Sequence, residues 1–404
     1  MTVEPIRRLL KIAPGEEPVA LRLLAMMIIV WTGFALGGNA VESLLFVRFG
    51  PEALPYLFIA LGVVTFALMV VLNALLGRAR PRRILLFTLL GMAGVVLGIR
   101  LLLLFDTRWL YPPMWLAMMV MWTVASVAVW GIASAVHDTR QAKRLFPLYV
   151  AGLILGWVAG GFGTAPLARW FGAENLLLFW AAGLVGTVLL ARSALRVGGV
   201  IAERRRSRGR GAVDVRMQLS DGLRSVRESP LLLWMAVTLA LLALLYFSVA
   251  FLFARAATAR FPDADRLAGF LGLFMGASNG AALLVSLLVA NRLFARFGVA
   301  SMVVVLAALY VAGFGVLAVS ATFASLVAFR FVQMVWVNGV WTGGWQALYN
   351  VVPSERRDRT RAFIDGVALQ GGIIAAGIML ILAERVLTPR AFTLIALVIA
   401  ILAT

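Results

Sequence analysis

Residues 230–254 read PLLLWMAVTLALLALLYFSVAFLFA, a run of 25 positions without a charged side chain. As an α-helix, such a run is about 37 Å long, more than the roughly 30 Å hydrocarbon layer of a bilayer. In lipid every backbone N–H and C=O must be satisfied within the segment, so a helix is what this run forms. Runs of the same kind recur on both sides of it. Before it they lie at about 21–46, 55–77, 84–105, 113–136, 145–168 and 175–195, and after it at about 267–291, 299–320, 323–349, 362–383 and 391–404. Counting the quoted stretch, the sequence predicts an all-α polytopic membrane protein with twelve transmembrane helices. The last run has only about 14 residues, short of a full crossing. The sequence therefore predicts a truncated or distorted twelfth helix, with a C-terminal extension such as a soluble domain following Thr404.

Composition agrees. The chain has 404 residues, 62% hydrophobic and 14% charged, with a formal net charge of +19. Its mean hydropathy is +0.97. Soluble domains are about 45–50% apolar and about 25% charged, so a soluble globular protein is excluded. A nucleic-acid partner is not expected, because binding one takes a charged polar face and there is too little polar sequence to build it. With no cysteine and a single histidine, His137, neither a disulfide frame nor a thiolate or multi-histidine metal centre can form. There is no P-loop, nucleophile–base pair or metal spacing, so the reading expects neither an enzyme nor a cofactor.

The first residues do not read as a cleaved signal peptide: Arg7, Arg8 and Lys11 lead into Pro14-Gly15-Glu16-Glu17, which breaks any apolar region. Residues 1–18 read equally as a short interfacial helix or as disorder. With the N-terminus placed inside, 27 of the 37 Lys and Arg residues fall on the cytoplasmic side and nine outside, and Arg330 lies within a span. Basic residues collect on the cytoplasmic side, so a cytoplasmic N-terminus and an even number of spans are expected, in a cell membrane such as a bacterial inner membrane. The run Arg204-Arg205-Arg206-Ser207-Arg208-Gly209-Arg210 reads as part of that signal, set against anionic lipid.

The basic stretch 196–229 divides the chain into an N-terminal six-helix bundle, 1–195, and a C-terminal one, 230–404. Short internal matches fit two related halves. Phe46-Val47-Arg48 parallels Phe253-Ala254-Arg255. Asp138-Thr139-Arg140 and Arg144-Leu145-Phe146 parallel Glu355-Arg356-Arg357 and Arg361-Ala362-Phe363. Spans 5 and 11, matched in this way, are both rich in glycine: Gly152, Gly156, Gly160 and Gly161 in one, Gly366, Gly371, Gly372 and Gly377 in the other. Small residues at this spacing let helices approach closely. Halves of this kind predict a transporter with its substrate site near the midplane.

Ionisable groups within spans are costly and mark candidate sites. Glu42 lies deep in span 1, one turn from Asn39, and suits cation coupling, contact with a ligand or pairing with an arginine. Arg330 lies in span 10, with Gln333 one turn on and Asn338, Trp341 and Trp345 on the same face at 100° per residue. Arginine suits bidentate capture of carboxylate or phosphate, and an indole stacks on a planar ring. The alternatives are that Arg330 neutralises Glu42 or Asp365 and that the two tryptophans anchor the helix at the interface. Asp365 begins span 11 four residues after Arg361, a spacing that allows an ion pair within one helix. Lys143 and Arg144 occupy the matching corner of the first half. Asn279, Gln370 and His137 read as structural.

One segment carries a family resemblance. Gln141-Ala142-Lys143-Arg144-Leu145-Phe146-Pro147-Leu148-Tyr149, followed by Gly152 and Gly160-Gly161, resembles the entry to the fifth helix in the ATP/ADP translocase family of plastids and intracellular bacteria. Glu42 and, six residues on, Arg48 resemble that family's acidic and basic pair in its first helix, with arginine in place of lysine. The resemblance implies a major-facilitator-like fold that carries nucleotides, often by exchange, and makes Glu42, Arg48, Lys143 and Arg144 candidates for phosphate and counter-charge. The loop Gly77-Arg78-Ala79-Arg80-Pro81-Arg82-Arg83 lacks the aspartate common in major-facilitator proteins, which implies a divergent branch. The sequence thus predicts a secondary transporter of a nucleotide or similar organic anion. A transporter of drugs, sugars or lipids is the alternative, as is a membrane anchor for a C-terminal regulatory domain. The expected partners are the lipid bilayer and a small anionic substrate.

Overall fold

In the computed structural model the described residues are 15–76, 81–105, 107–197, 226–349, 363–386 and 389–403, together with positions 12, 13, 223, 224, 352, 357, 360 and 361. They fold almost wholly as helix. We number the helices α1 Glu17–Leu44, α2 Leu54–Leu76, α3 Pro81–Leu102, α4 Tyr111–Val136, α5 Thr139–Phe171, α6 Leu176–Val197, α7 Pro230–Arg260, α8 Ala264–Phe297, α9 Val299–Val319, α10 Phe323–Leu348, α11 Ile364–Val386 and α12 Pro389–Leu402. Among the described residues eleven are long and apolar enough to cross a membrane, and α12, apolar over Ala391–Leu402, is shorter. The all-α, multi-span architecture is as the sequence predicts. The N-terminal segment 1–11, the Arg204–Arg210 run and most of the basic stretch, the loop residues 77–80 and the 353–356 match lie outside the described residues.

Local chemistry sets the helix ends. Asp138 accepts hydrogen bonds from the backbone N–H groups of Arg140 and Gln141, and the Gln141 side chain returns one to the Asp138 N–H, a capping box that starts α5. Thr322 and Ser325 start α10 in the same way. Prolines open α1, α4 and α7, where the absent N–H costs nothing. Gly172 ends α5 and Gly298 ends α8 with φ of 83° and 79°, values at which a side chain is strained.

The chain divides into two compact units, each holding helices from both sides of the basic stretch. Unit 1 comprises Met1–Arg48, Arg78–Gly211 and Asp263–Gly280. There α1 packs along α5 and α6, and α3 lies on α4 and α6. Unit 2 comprises Phe49–Gly77, Ala212–Pro262 and Ala281–Thr404. In it α11 packs on α2 and α7, and α9 on α12.

Close approach explains most of the glycines singled out in spans 5 and 11. A Cβ on Gly156 would lie 2.6 Å from the Ile28 carbonyl oxygen, and one on Gly160 2.6 Å from that of Thr32. In unit 2 a Cβ on Gly372 would meet the Ala240 carbonyl oxygen at 2.3 Å, and one on Gly377 that of Pro55 at 2.4 Å. Gly371 faces open space.

Candidate functional site

The centre of unit 2 holds a cation. Arg330, on α10, is 9% exposed. Its Nη1 donates to Gln333 Oε1 at 2.7 Å and, more weakly, to the Tyr246 carbonyl oxygen at 3.4 Å. The guanidinium lies over the Tyr246 ring, 4.4 Å from its centroid, close enough for a cation–π attraction. Gln333 passes the network on, its Nε2 donating to the Tyr310 hydroxyl at 2.6 Å. Three helices, α7, α9 and α10, thus fix one guanidinium. Tyr246 and Tyr310 lie within a residue or so of the middle of their spans, Pro230–Arg260 and Val299–Val319. Among the described residues no carboxylate pairs with Arg330. Neutral dipoles and a π-face hold it, so its charge is oriented but not cancelled.

The rest of the predicted face in span 10 lies elsewhere. A π-helical turn at Val337–Trp341 interrupts α10. Such a turn inserts one residue and slips the face of everything after it by about 100°. Asn338, within the turn, is exposed. Trp341 stacks on Trp345, with centroids 5.1 Å apart and planes at 18°, and Trp345 is buried in a core cluster with Tyr349 and Ile364. The Trp345 indole N–H points to Asp365 Oδ1 at 3.4 Å, and the Tyr349 hydroxyl donates to the same oxygen at 2.7 Å. Arg361 Nε completes the group, 3.5 Å from Asp365 Oδ2. The structure therefore joins Arg330 with Gln333, and Trp345 with Asp365, as two separate groups. Asp365 pairs with Arg361, four residues earlier in the sequence.

In unit 1, Arg48 is tied down. Its Nη2 lies 2.6 Å from Glu174 Oε1 and its Nη1 donates to the Tyr111 hydroxyl at 3.0 Å. Arg48 itself lies in a π-helical turn, Leu45–Phe49. Glu42 is half-buried in α1. Its neighbour Asn39 is buried and donates to Thr164 Oγ1 at 3.0 Å, joining α1 to α5. Lys143 is exposed. Arg144 pairs with Glu16, which also accepts from Gln141 Nε2 at 3.1 Å. Beside this group, His137 Nε2 lies 2.7 Å from the Tyr149 hydroxyl. Burial pushes the His137 pKa below its usual value, against the smaller opposing pull of Glu16 and Asp138.

Residue-by-residue reading missed Tyr246 and Tyr310, and also a cluster of indoles in unit 1. Trp31 stacks on Trp157 at 5.7 Å, and Trp122 lies 5.2 Å from Trp157 and 6.3 Å from Trp31. Trp31 and Trp157 are buried and Trp122 is exposed. All three fall near the middle of their spans, Glu17–Phe49, Arg108–Val136 and Arg140–Phe171. Tryptophan favours span ends, so its position at mid-span was the available signal.

Helices of this number and packing among the described residues are those of a multi-span membrane protein with the major-facilitator fold. Comparison with solved structures shows this fold directly. The chain is similar to a bacterial homologue of the iron transporter ferroportin in an inward-facing state, at 15% identity and a TM-score of 0.67, covering 95% of this chain and 96% of that one. It is similar to a single-residue variant of the nucleoside transporter NupG at 11% identity and a TM-score of 0.70, covering 95% and 98%. It is also similar to the inward-open xylose transporter XylE from E. coli at 13% identity and a TM-score of 0.59, covering 95% and 94%. No family model matches the sequence, and no curated protein matches it.

Proposed function

We propose that this chain is a secondary transporter of a small organic anion, with a nucleotide as the leading substrate, and that Arg330 is the cation that binds it. The observation carrying this reading is the buried guanidinium, held by Gln333 and Tyr246, with Tyr310 bonded to Gln333 behind them, and without a carboxylate partner among the described residues. A cation kept in a low-dielectric interior is costly unless a counter-charge joins it, and an anionic solute supplies one. The fold supports transport rather than catalysis. The similar structures, a homologue of an iron transporter, a nucleoside transporter and a xylose transporter, differ too much for the fold to name the substrate. The resemblance around Lys143 and Arg144 favours a nucleotide and, by the same route, ATP/ADP exchange. On this reading the protein lies in a cell membrane with its N-terminus inside, the two sequence halves 1–195 and 230–404 act as the moving bundles, and Glu42 couples or compensates charge.

The test is uptake and counter-exchange of labelled ATP and ADP in proteoliposomes, with wild type, Arg330→Ala, Arg330→Lys and Glu42→Gln side by side. Wild type should take up nucleotide. Arg330→Ala should reduce uptake at least about tenfold, the value of one charge-assisted contact. A folded wild type that moves neither nucleotide would remove the ATP/ADP reading, and normal uptake by Arg330→Ala would remove the anion site.

A further inference from the structure

Unit 2 holds a cavity of about 840 Å³ at the end of α7 marked by Arg260, bordered by the α9–α10 connection, by Glu384 near the end of α11 and by Phe392 and Thr393 near the start of α12. We propose that this cavity is a binding site for an anionic phospholipid, with Arg255 and Arg260 on the phosphate and an acyl chain in the apolar interior. The site is independent of which solute the protein carries.

The lining is graded in polarity along α7. Arg260 and Arg255 lie toward the helix end, and Phe251 and Leu252 lie deeper. Nine residues separate Arg260 from Phe251, about 13 Å along the axis. Leu326 and Leu380 continue the apolar part, and Glu384 stands beside Arg255. A lipid has the same layout, a charged head followed by hydrocarbon.

Both guanidinium groups have donors to spare. Arg255 Nη1 is 3.9 Å from Glu384 Oε1, within ion-pair range but too long for a hydrogen bond. Arg260 meets the Phe261 ring at 5.8 Å. Neither arginine makes a protein hydrogen bond among the described residues. Each guanidinium offers five N–H groups in a fork that fits a phosphate; two arginines and one glutamate line the cavity, and Glu52 is the further carboxylate that acts on Glu384.

The internal match sharpens the contrast. Phe46-Val47-Arg48 and Phe253-Ala254-Arg255 correspond in sequence, yet Arg48 is closed off by Glu174 and Tyr111 while Arg255 faces a cavity. The surroundings favour a lipid over a dissolved anion. Val319, at the end of the flanking helix α9, is 91% exposed, and Val386, at the end of α11 next to Glu384 and Arg385, is 78% exposed, so these helix ends present apolar side chains together with charged ones, as a lipid head and its hydrocarbon require.

The experiment measures lipids retained by the purified full-length chain by native mass spectrometry, after exchange with phosphatidylglycerol, phosphatidylcholine or soluble glycerol phosphate. Wild type should retain phosphatidylglycerol over phosphatidylcholine. The double substitution Arg255→Gln with Arg260→Gln should lower that retention at least about tenfold. Ala259→Trp keeps both charges but fills the cavity and should lower it as well. Three results would each overturn the proposal: equal retention of the two lipids, displacement of phosphatidylglycerol by equimolar glycerol phosphate, or wild-type retention by the folded double variant. If Ala259→Trp fails to fold, the double variant alone decides.

Discussion

Two buried basic side chains, Arg330 within a span and His137 just beyond the end of one, show how burial treats charge. Arg330 brings a positive charge into a span, so its environment must solvate it, and an aromatic face and an amide do so. His137 has the other option of remaining neutral. Its ring is buried beside Tyr149 at the end of α4, and burial lowers its pKa from the ordinary 6.5. The unfolded chain therefore takes up a proton near pH 6.5, whereas the folded imidazole takes one up only at lower pH. The contribution of His137 to stability is then full above pH 6.5 and is lost as pH falls below it. Thermal unfolding of the detergent-purified protein should show Tm falling by a few degrees between pH 7.5 and pH 5, and His137→Gln should flatten that part of the profile. An unchanged slope in His137→Gln would show that another group is responsible. Arg330 was legible in the sequence because a charge in an apolar run stands out. Tyr246 and Tyr310 were not, because tyrosine is unremarkable in such a run and only packing brings these two to the guanidinium.

Among the helices, what the sequence made plain was length, and what it hid was register. An uncharged run of twenty-odd residues has one stable form in lipid, so the spans could be read directly. A π-helical turn follows from tertiary packing, and nothing in Val337-Asn338-Gly339-Val340-Trp341 announces one. That single inserted residue is why a face drawn at 100° per residue joined Arg330 to Trp345, while the structure joins Trp345 to Asp365. Glycine spacing was legible as close packing, but not which glycines bear the contact. Gly156 and Gly160 press α5 on α1, whereas Gly94 and Gly98 on α3 have nothing within 4 Å of a built Cβ. Alanine at 156 or 160 forces a backbone shift, with a cost of about 1–3 kcal/mol expected for overpacking. At 94 or 98 it should be neutral or stabilise by up to about 1 kcal/mol through helix propensity. Thermal unfolding of the four variants tests this. Equal Tm values for Gly160→Ala and Gly98→Ala would mean that α1 and α5 are not packed as described.

Over the whole molecule, the +19 net charge is an argument about orientation before it is one about ligands. Exposed arginine and lysine are hard to translocate, so a bias of 27 to nine fixes the expected sense of insertion. The helices pack the same way in either orientation, so the charge bias is what sets the sense of insertion. The chain lends itself to a direct test because it has no cysteine, so any thiol introduced is the sole target for a membrane-impermeant maleimide. Arg140 and Arg296 are exposed positions expected inside, and Thr107 is an exposed position expected outside. Thr107→Cys should label in intact cells, while Arg140→Cys and Arg296→Cys should label only after permeabilisation. The pair is informative because Arg140 begins α5 and Arg296 ends α8, on opposite sides of the basic stretch. Agreement between them requires an even number of crossings from one to the other, as α5, α6, α7 and α8 provide. If Thr107→Cys were protected and the two arginine positions labelled in intact cells, the orientation would be reversed. If Arg140→Cys and Arg296→Cys disagreed, one of those four helices would not span the membrane.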